Sequence, residues 1–403
     1  MKPATSRRLR PLTGSLLIAL AALLGWLAFS KKSDPPSLAQ KAPPVRYAPA
    51  SSPALSSPSA TSPKPALAAT LPSAGARAAL LHTLAALRAL QGAGTITDTQ
   101  ARELLDHLRA ELAAGNLAVT VAAIVEFLVG GEDAATSLAF AMEDGGALSA
   151  APSLRTFLLD QLGQLDPVAA AGFSREFLAL PLSPATIPDE SSLCLRNLAW
   201  GSPGPLAAAD RILFDARATA LLQNTDWAAR PSAGFLEGFD AVVFSGNPAL
   251  VAPLARIMNG AAAASTRHAA HIAMDRLALA GDSAVIAAIA TEPSLSEQPG
   301  LRAGLLARAD VTNAAQRAII ETYLRDPSVG ETEKKTFIAA FPLRSFTDGP
   351  RLITQPKDQE GADLITSDRA SLVVMREWAT DHSLSPLHPS LTATIIRLQS
   401  MLR

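Results

Sequence analysis

Leu162-Gly163-Gln164-Leu165-Asp166-Pro167-Val168-Ala169-Ala170 is the stretch on which the reading of the chain turns. Its leucines close one apolar helical face. Asp accepts hydrogen bonds from the first free N–H groups of a helix, and Pro fits the first helical position, where a missing N–H costs nothing. The stretch therefore spells helix, tight turn, helix. Asn247-Pro248 repeats this grammar, and prolines open helices again at Ala151-Pro152 and Pro389-Ser390. Gly163, Gly201, Gly246, Gly260 and Gly281 fall where a left-handed residue would end a helix. Apolar residues spaced three and four apart predict helices over 78–90, 98–112 and 119–128.

Composition points the same way. Hydrophobic residues make up 48% of the 403 but aromatics only 5%, so Ala and Leu, both strong helix formers, carry the apolar content. Runs of β-branched or aromatic residues suited to strands are scarce. The expected fold is all-α, an array of antiparallel helical hairpins. A basic residue early in a helix marks a recurring unit: Arg155, Arg196, Arg230, Arg267, Arg302, Lys335 and Arg369, spaced 41, 34, 37, 35, 33 and 34 residues apart. Such spacings suit a two-helix repeat. Asp recurs at the comparable turn at Asp282 and Asp310, without the following Pro.

On these residues, the region 96–345 resembles the HEAT-type repeat superfamily, in which an Asp-Pro pair opens the second helix of each hairpin. The resemblance implies a curved α-solenoid that binds other macromolecules along one face. The Trp-Leu-Gly-Tyr pattern of tetratricopeptide repeats is absent.

Ahead of the array stand two segments of different character. Arg7, Arg8 and Arg10 precede an apolar run from Leu16 to Phe29, which Lys31 and Lys32 close. Counted from Pro11 to Ser30 it just spans a bilayer. The charge bias places the N-terminus in the cytoplasm and the rest outside, an inner-membrane, single-pass arrangement with the bulk in the periplasm. Ala28 and Ser30 also fit a signal-peptidase site, so cleavage after Ser30 and secretion to the periplasm is the alternative. With no cysteine at the end of the run, a lipoprotein anchor is excluded. Ten of the thirty prolines lie between Ser33 and Ser73, too many for a packed core, so this stretch is expected to be a disordered, extended spacer. The expected organisation is a signal anchor or signal peptide at 1–32, a linker at 33–75, a helical array at 76–345, and a polar loop with capping helices at 346–403. The turn-rich stretch 347–361 fits either a cap or a binding loop, and Ser367-Asp368 is expected to cap the helix that follows it.

Charge and motifs exclude more than they assign. Lys plus Arg, 35, balances Asp plus Glu, 36, and no basic cluster beyond Lys32 exceeds a pair, which argues against nucleic acid as a partner. Cys194 is the sole cysteine, so intrachain disulfides and paired-cysteine metal sites are excluded; flanked by leucines, it reads as a small buried hydrophobe. No nucleophile elbow, phosphate loop or cofactor motif occurs. Trp200, Trp227 and Trp378 sit in apolar patterns that suit packing. Glu132-Asp133 and Asp189-Glu190 lie at turns and read as charges at helix N-termini.

One set has ligand spacing. His268, His271 and Asp275 fall on one helical face and could offer two imidazoles and a carboxylate to a metal. The sequence therefore supports a membrane-tethered scaffold or adaptor, binding a protein or envelope polymer and needing no cofactor. A metal-dependent envelope enzyme using His268, His271 and Asp275 is the alternative.

Overall fold

The computed structural model describes residues 74–143, 145–183, 186–280, 282–343, 349, 351–354 and 361–403. The apolar run 16–29, most of the expected linker and Gly281 lie outside the described residues. By internal contacts the chain divides between Ala68 and Ala69, and every described residue belongs to the second unit. Among the described residues no helix is long and apolar enough to cross a membrane.

The described part is all-α apart from one short hairpin. It runs α1 (Ala74–Gly92), α2 (Asp98–Ala114), α3 (Leu117–Gly130), strands β1 (Ala141–Met142) and β2 (Leu148–Ala150), then α4 (Leu154–Leu165), α5 (Pro167–Ala179), α6 (Pro188–Trp200) and α7 (Ala208–Gln223). Three short helices follow, α8 (Thr225–Ala229), α9 (Ala233–Glu237) and α10 (Asp240–Ser245). Next come α11 (Val251–Asn259), α12 (Ala264–Ala280), α13 (Ser283–Thr291), α14 (Pro293–Ser296), α15 (Pro299–Leu306), α16 (Ala314–Arg325) and α17 (Glu331–Ala340). The chain closes with α18 (Gly361–Trp378) and α19 (His388–Met401).

The caps explain many of the boundaries. Asp166 accepts from Val168 N and Ala169 N, with Pro167 in the first turn, as its sequence requires. Ser153, Asp282 and Asn313 begin α4, α13 and α16 in the same way. Pro152 is not itself helical, because Ser153 intervenes as the cap. Ser367 and Asp368 do not open a helix either: α18 begins at Gly361 and runs through them.

The glycines correct the sequence reading. Of those proposed as left-handed helix ends, Gly246 has a positive φ, 60°, whereas Gly201 and Gly260 do not. Gly163 lies inside α4, where an added Cβ would collide with the Asn197 amide. The hairpin β1–β2 was not expected; Gly145 and Gly146, with φ of 97° and 85°, provide the turn that permits it.

Contacts sort the helices into two rows. α4, α6, α10, α12, α15 and α17 pack successively on one another, and so do α5, α7, α11, α13 and α16. Arg–carboxylate pairs stitch the first row: Arg155–Glu190, Arg196–Asp160, Arg276–Asp240, Arg308–Asp275 and Arg302–Glu333. The partners at 155–190, 160–196, 240–276, 275–308 and 302–333 are separated by 35, 36, 36, 33 and 31 residues. Of the seven marker residues read from the sequence, Arg155, Arg196 and Arg302 stand in these pairs. Arg230, Arg267 and Arg369 are exposed, and Lys335 pairs with Glu331 inside its own helix.

α18 and α19 close one end of these rows. Trp378, buried against Phe337 and Phe341, donates from Nε1 to Glu321 at 3.3 Å. Arg397 donates to the terminal carbonyls Ala339 O and Phe341 O of α17, both at 2.7 Å.

Candidate functional site

Asp240 opens α10 inside the apolar run Phe235 to Val243, and it is 1% exposed. A carboxylate so placed must find donors or lose its charge. It finds four. Arg276, from the neighbouring first-row helix α12, reaches Oδ1 at 2.9 Å. The other three come from far along the chain: Ile353 N and Thr354 N both donate to Oδ2 at 2.7 Å, and Thr354 Oγ1 donates to Oδ1 at 2.7 Å. Arg276 also donates to Thr354 Oγ1, which closes the network.

Residues 351–354 thus lie as a strap along the first row. Leu352 is fully buried and Ile353 nearly so. The strap passes so close to the hairpin turn that a Cβ on Gly146 would fall 2.5 Å from Leu352 O and 3.2 Å from the Trp200 ring. Gly349, just before it, leaves no room for a side chain against Ile272 of α12. Glycine at 146 and 349 is what lets main chain approach main chain and side chain this closely. The Asp240 network reads two successive backbone N–H groups and one hydroxyl, with aliphatic side chains buried beside them.

One turn before Asp240, Glu237 has a buried Oε2 with no hydrogen-bond partner. Burial, then the Asp240 charge, pushes its carboxyl up to about 7, against the pull of Arg276. A second carboxylate beside the strap site therefore titrates near neutrality, which sequence reading missed. The signal was available: Glu237 and Asp240 are two acids three residues apart in an otherwise apolar helical stretch.

A second concave feature lies between α5, α6 and α7. This cleft of about 380 Å³ is lined by Phe177, Pro181, Arg217 and Trp227, with the Arg155–Glu190 pair in its wall. Its charged groups are already engaged. Arg217 donates to Leu178 O and Leu180 O at the end of α5, and Arg155 holds Glu190 and Leu128 O. Asp133 accepts from Ala134 N and Arg155 N at 2.8 and 2.9 Å.

The residues nominated as metal ligands are placed differently from one another. His268 and His271 are exposed on α12, whereas Asp275 is buried and gives both carboxylate oxygens to Arg308, with Nη2 at 2.6 Å from Oδ2. Among the described residues no group of three or more His, Cys, Asp or Glu is arranged to hold a metal ion. The helix spacing puts the three on related positions of α12, but the packing turns Asp275 inward to an arginine.

The other nominated side chains follow their burial. Cys194 is fully enclosed, and burial pushes its thiol up to about 12, so it behaves as an apolar side chain. Trp200 stacks beneath the Arg196 guanidinium, 4.2 Å from its ring centre, and Trp227 meets Phe235 edge-on. Asp189 and Glu190 do more than charge a helix end. Glu190 binds Arg155, and Asp189 accepts from the Ser232 hydroxyl and from the first N–H groups of α9. No protein-family model, no curated protein and no solved structure matches this chain.

Proposed function

We propose that this chain is a scaffold whose HEAT-like, α-solenoid stack of hairpins binds a segment of a partner protein along its first-row face. The apolar run Leu16–Phe29 anchors it in the inner membrane, and the Pro-rich spacer holds the stack out in the periplasm. The observation that carries the reading is the strap. The first-row face already holds a bent stretch of polypeptide, recognised through main-chain N–H groups and a hydroxyl at Asp240. A fixed carboxylate that accepts from two consecutive main-chain N–H groups, beside buried aliphatic side chains, offers the same contacts to another peptide segment.

The regular pairing supports the same reading. Arg–carboxylate pairs fix α4 against α6, α10 against α12 and α15 against α17, which stiffens these parts of the face so that they bind without ordering themselves first. A charge-balanced composition, with no basic face, favours protein over nucleic acid as the ligand.

Photocrosslinking in intact cells tests this. A photoreactive residue placed at exposed His271, beside the strap, should capture the same envelope protein reproducibly, and one placed at exposed Ile212 on α7 of the second row should not. Capture from both positions alike, or of nothing but membrane neighbours, rejects the proposal.

A further inference from the structure

The strap is bound in a manner that is not specific to its being part of this chain. Asp240 reads two main-chain N–H groups that any residues but proline would offer, and one hydroxyl that Ser or Thr would offer. The remaining selectivity is apolar: Leu352 and Ile353 are buried among the helices of the first row and the hairpin turn. Glu237 adds an unpartnered buried carboxylate oxygen next to this network, so the network is not saturated by the strap. A buried acceptor left without a donor costs free energy that a better-matched occupant would recover.

We propose that the Asp240–Arg276–Glu237 site is a docking site for a partner segment of the form aliphatic–aliphatic–Ser/Thr that takes up the bend of residues 352–354, and that those residues fill it as an intrachain stand-in. The inference rests on the peptide-binding reading above and assigns that reading its site and its ligand chemistry. A partner segment carrying one further donor, within reach of Glu237, outcompetes the strap by satisfying the oxygen that the strap leaves bare. The strap meanwhile keeps an apolar groove covered, which protects the protein from unspecific association.

The site makes a quantitative demand. An internal occupant lowers apparent affinity by the fraction of molecules in which the site is open, so removing it must raise affinity. The probe is a fluorescein-labelled synthetic peptide with the sequence of residues 349–356, titrated by anisotropy into the full-length protein. In the variant Leu352→Ser with Ile353→Ser, binding should be at least about tenfold tighter than to the unsubstituted protein. Adding Asp240→Asn to that variant should weaken binding again by about tenfold or more, and a peptide with Val in place of its Thr should bind comparably weakly.

Equal affinity for the opened and unsubstituted proteins overturns the proposal, as does binding indifferent to Asp240→Asn. If the doubly substituted strap prevents folding by circular dichroism, Thr354→Ala replaces it, since that change deletes one hydroxyl and exposes no apolar side chain. The two levels of argument separate cleanly. Reproducible partner capture at His271 with no peptide binding to the opened site leaves the scaffold standing and removes this site from it. Peptide binding at Asp240 with no partner in cells does the reverse.

Discussion

Ion pairs in the two rows of helices share a chemistry but not a solvent. In the first row, Arg196 and Asp160 are both 0% exposed at the side chain, and Arg302–Glu333 and Arg276–Asp240 are at most 10% exposed. In the second row, Arg175 pairs with Asp210 across 35 residues while remaining half exposed, and the pairs by which Arg317 and Arg325 of α16 reach Glu377 in α18 and Asp381 beyond it are similarly open. Burial lowers the Arg196 guanidinium even though Asp160 sits 2.7 Å away, so desolvation outweighs pairing there. The difference teaches that the first-row pairs act mainly by making misregistered neighbours costly, whereas the second-row pairs add little of either stability or specificity.

Arg196→Met is the sharpest way to break that comparison. It leaves the Asp160 charge buried and also removes the donor to Gly146 O, and it should cost about 3–5 kcal/mol in urea unfolding. Adding Asp160→Leu should recover part of the loss. It should not recover all, because Leu148 N and Gln164 Nε2 then lose their acceptor. A double variant as unstable as the single one would show that the pair's charges are not what matters.

Glu237→Gln tests the carboxylate at the end of α9 whose buried Oε2 has no hydrogen-bond partner. Its folded carboxyl is raised from 4.5 to about 7, so below pH 4.5 the proton is bound in both states and costs nothing. As pH rises from about 4.5 to about 7 the unfolded carboxyl ionises first, and stability is progressively lost. The amide should therefore raise stability at pH 8 by roughly 2 kcal/mol, after allowance for partial solvent screening, and leave it unchanged at pH 4. A pH-independent difference would place the effect in packing instead. In the second row, Arg175→Met should cost less than about 1 kcal/mol, with a cost that fades in high salt. A loss comparable to that of Arg196→Met would erase the contrast between the rows.

Much of this was legible in the residues. Asp166-Pro167 and Asn247-Pro248 announced their turns because capping is local chemistry, complete within four residues. Of the seven basic markers, Arg155, Arg196 and Arg302 proved to join successive first-row helices and the other four did not. A basic residue shows in sequence, whereas the carboxylate it meets some 35 residues away is chosen by packing, so buried Arg196 and exposed Arg230 looked alike. For the same reason Asp275 looked like a ligand beside two histidines when its partner was Arg308. Gly163 was misread as a helix end, and Gly201, which does end α6, as left-handed, because close approach of another helix and a left-handed turn both call for glycine. The strap could not be read at all: nothing local in Leu352-Ile353-Thr354 says that Asp240, more than a hundred positions earlier, waits for its amides.

A stack in which each hairpin touches only its neighbours unfolds like a zipper, from whichever end frays first. The return of residues 349–354 to Ile272, Asp240 and the Gly146 turn changes that topology. It joins positions some two hundred residues apart, so hairpins in the middle of the chain cannot open one at a time while the strap is seated. Such long-range closure slows folding, since the loop must be drawn together before its contacts repay it. In return the molecule melts as a single cooperative body, and losing the strap would turn one transition into a sequence of smaller ones.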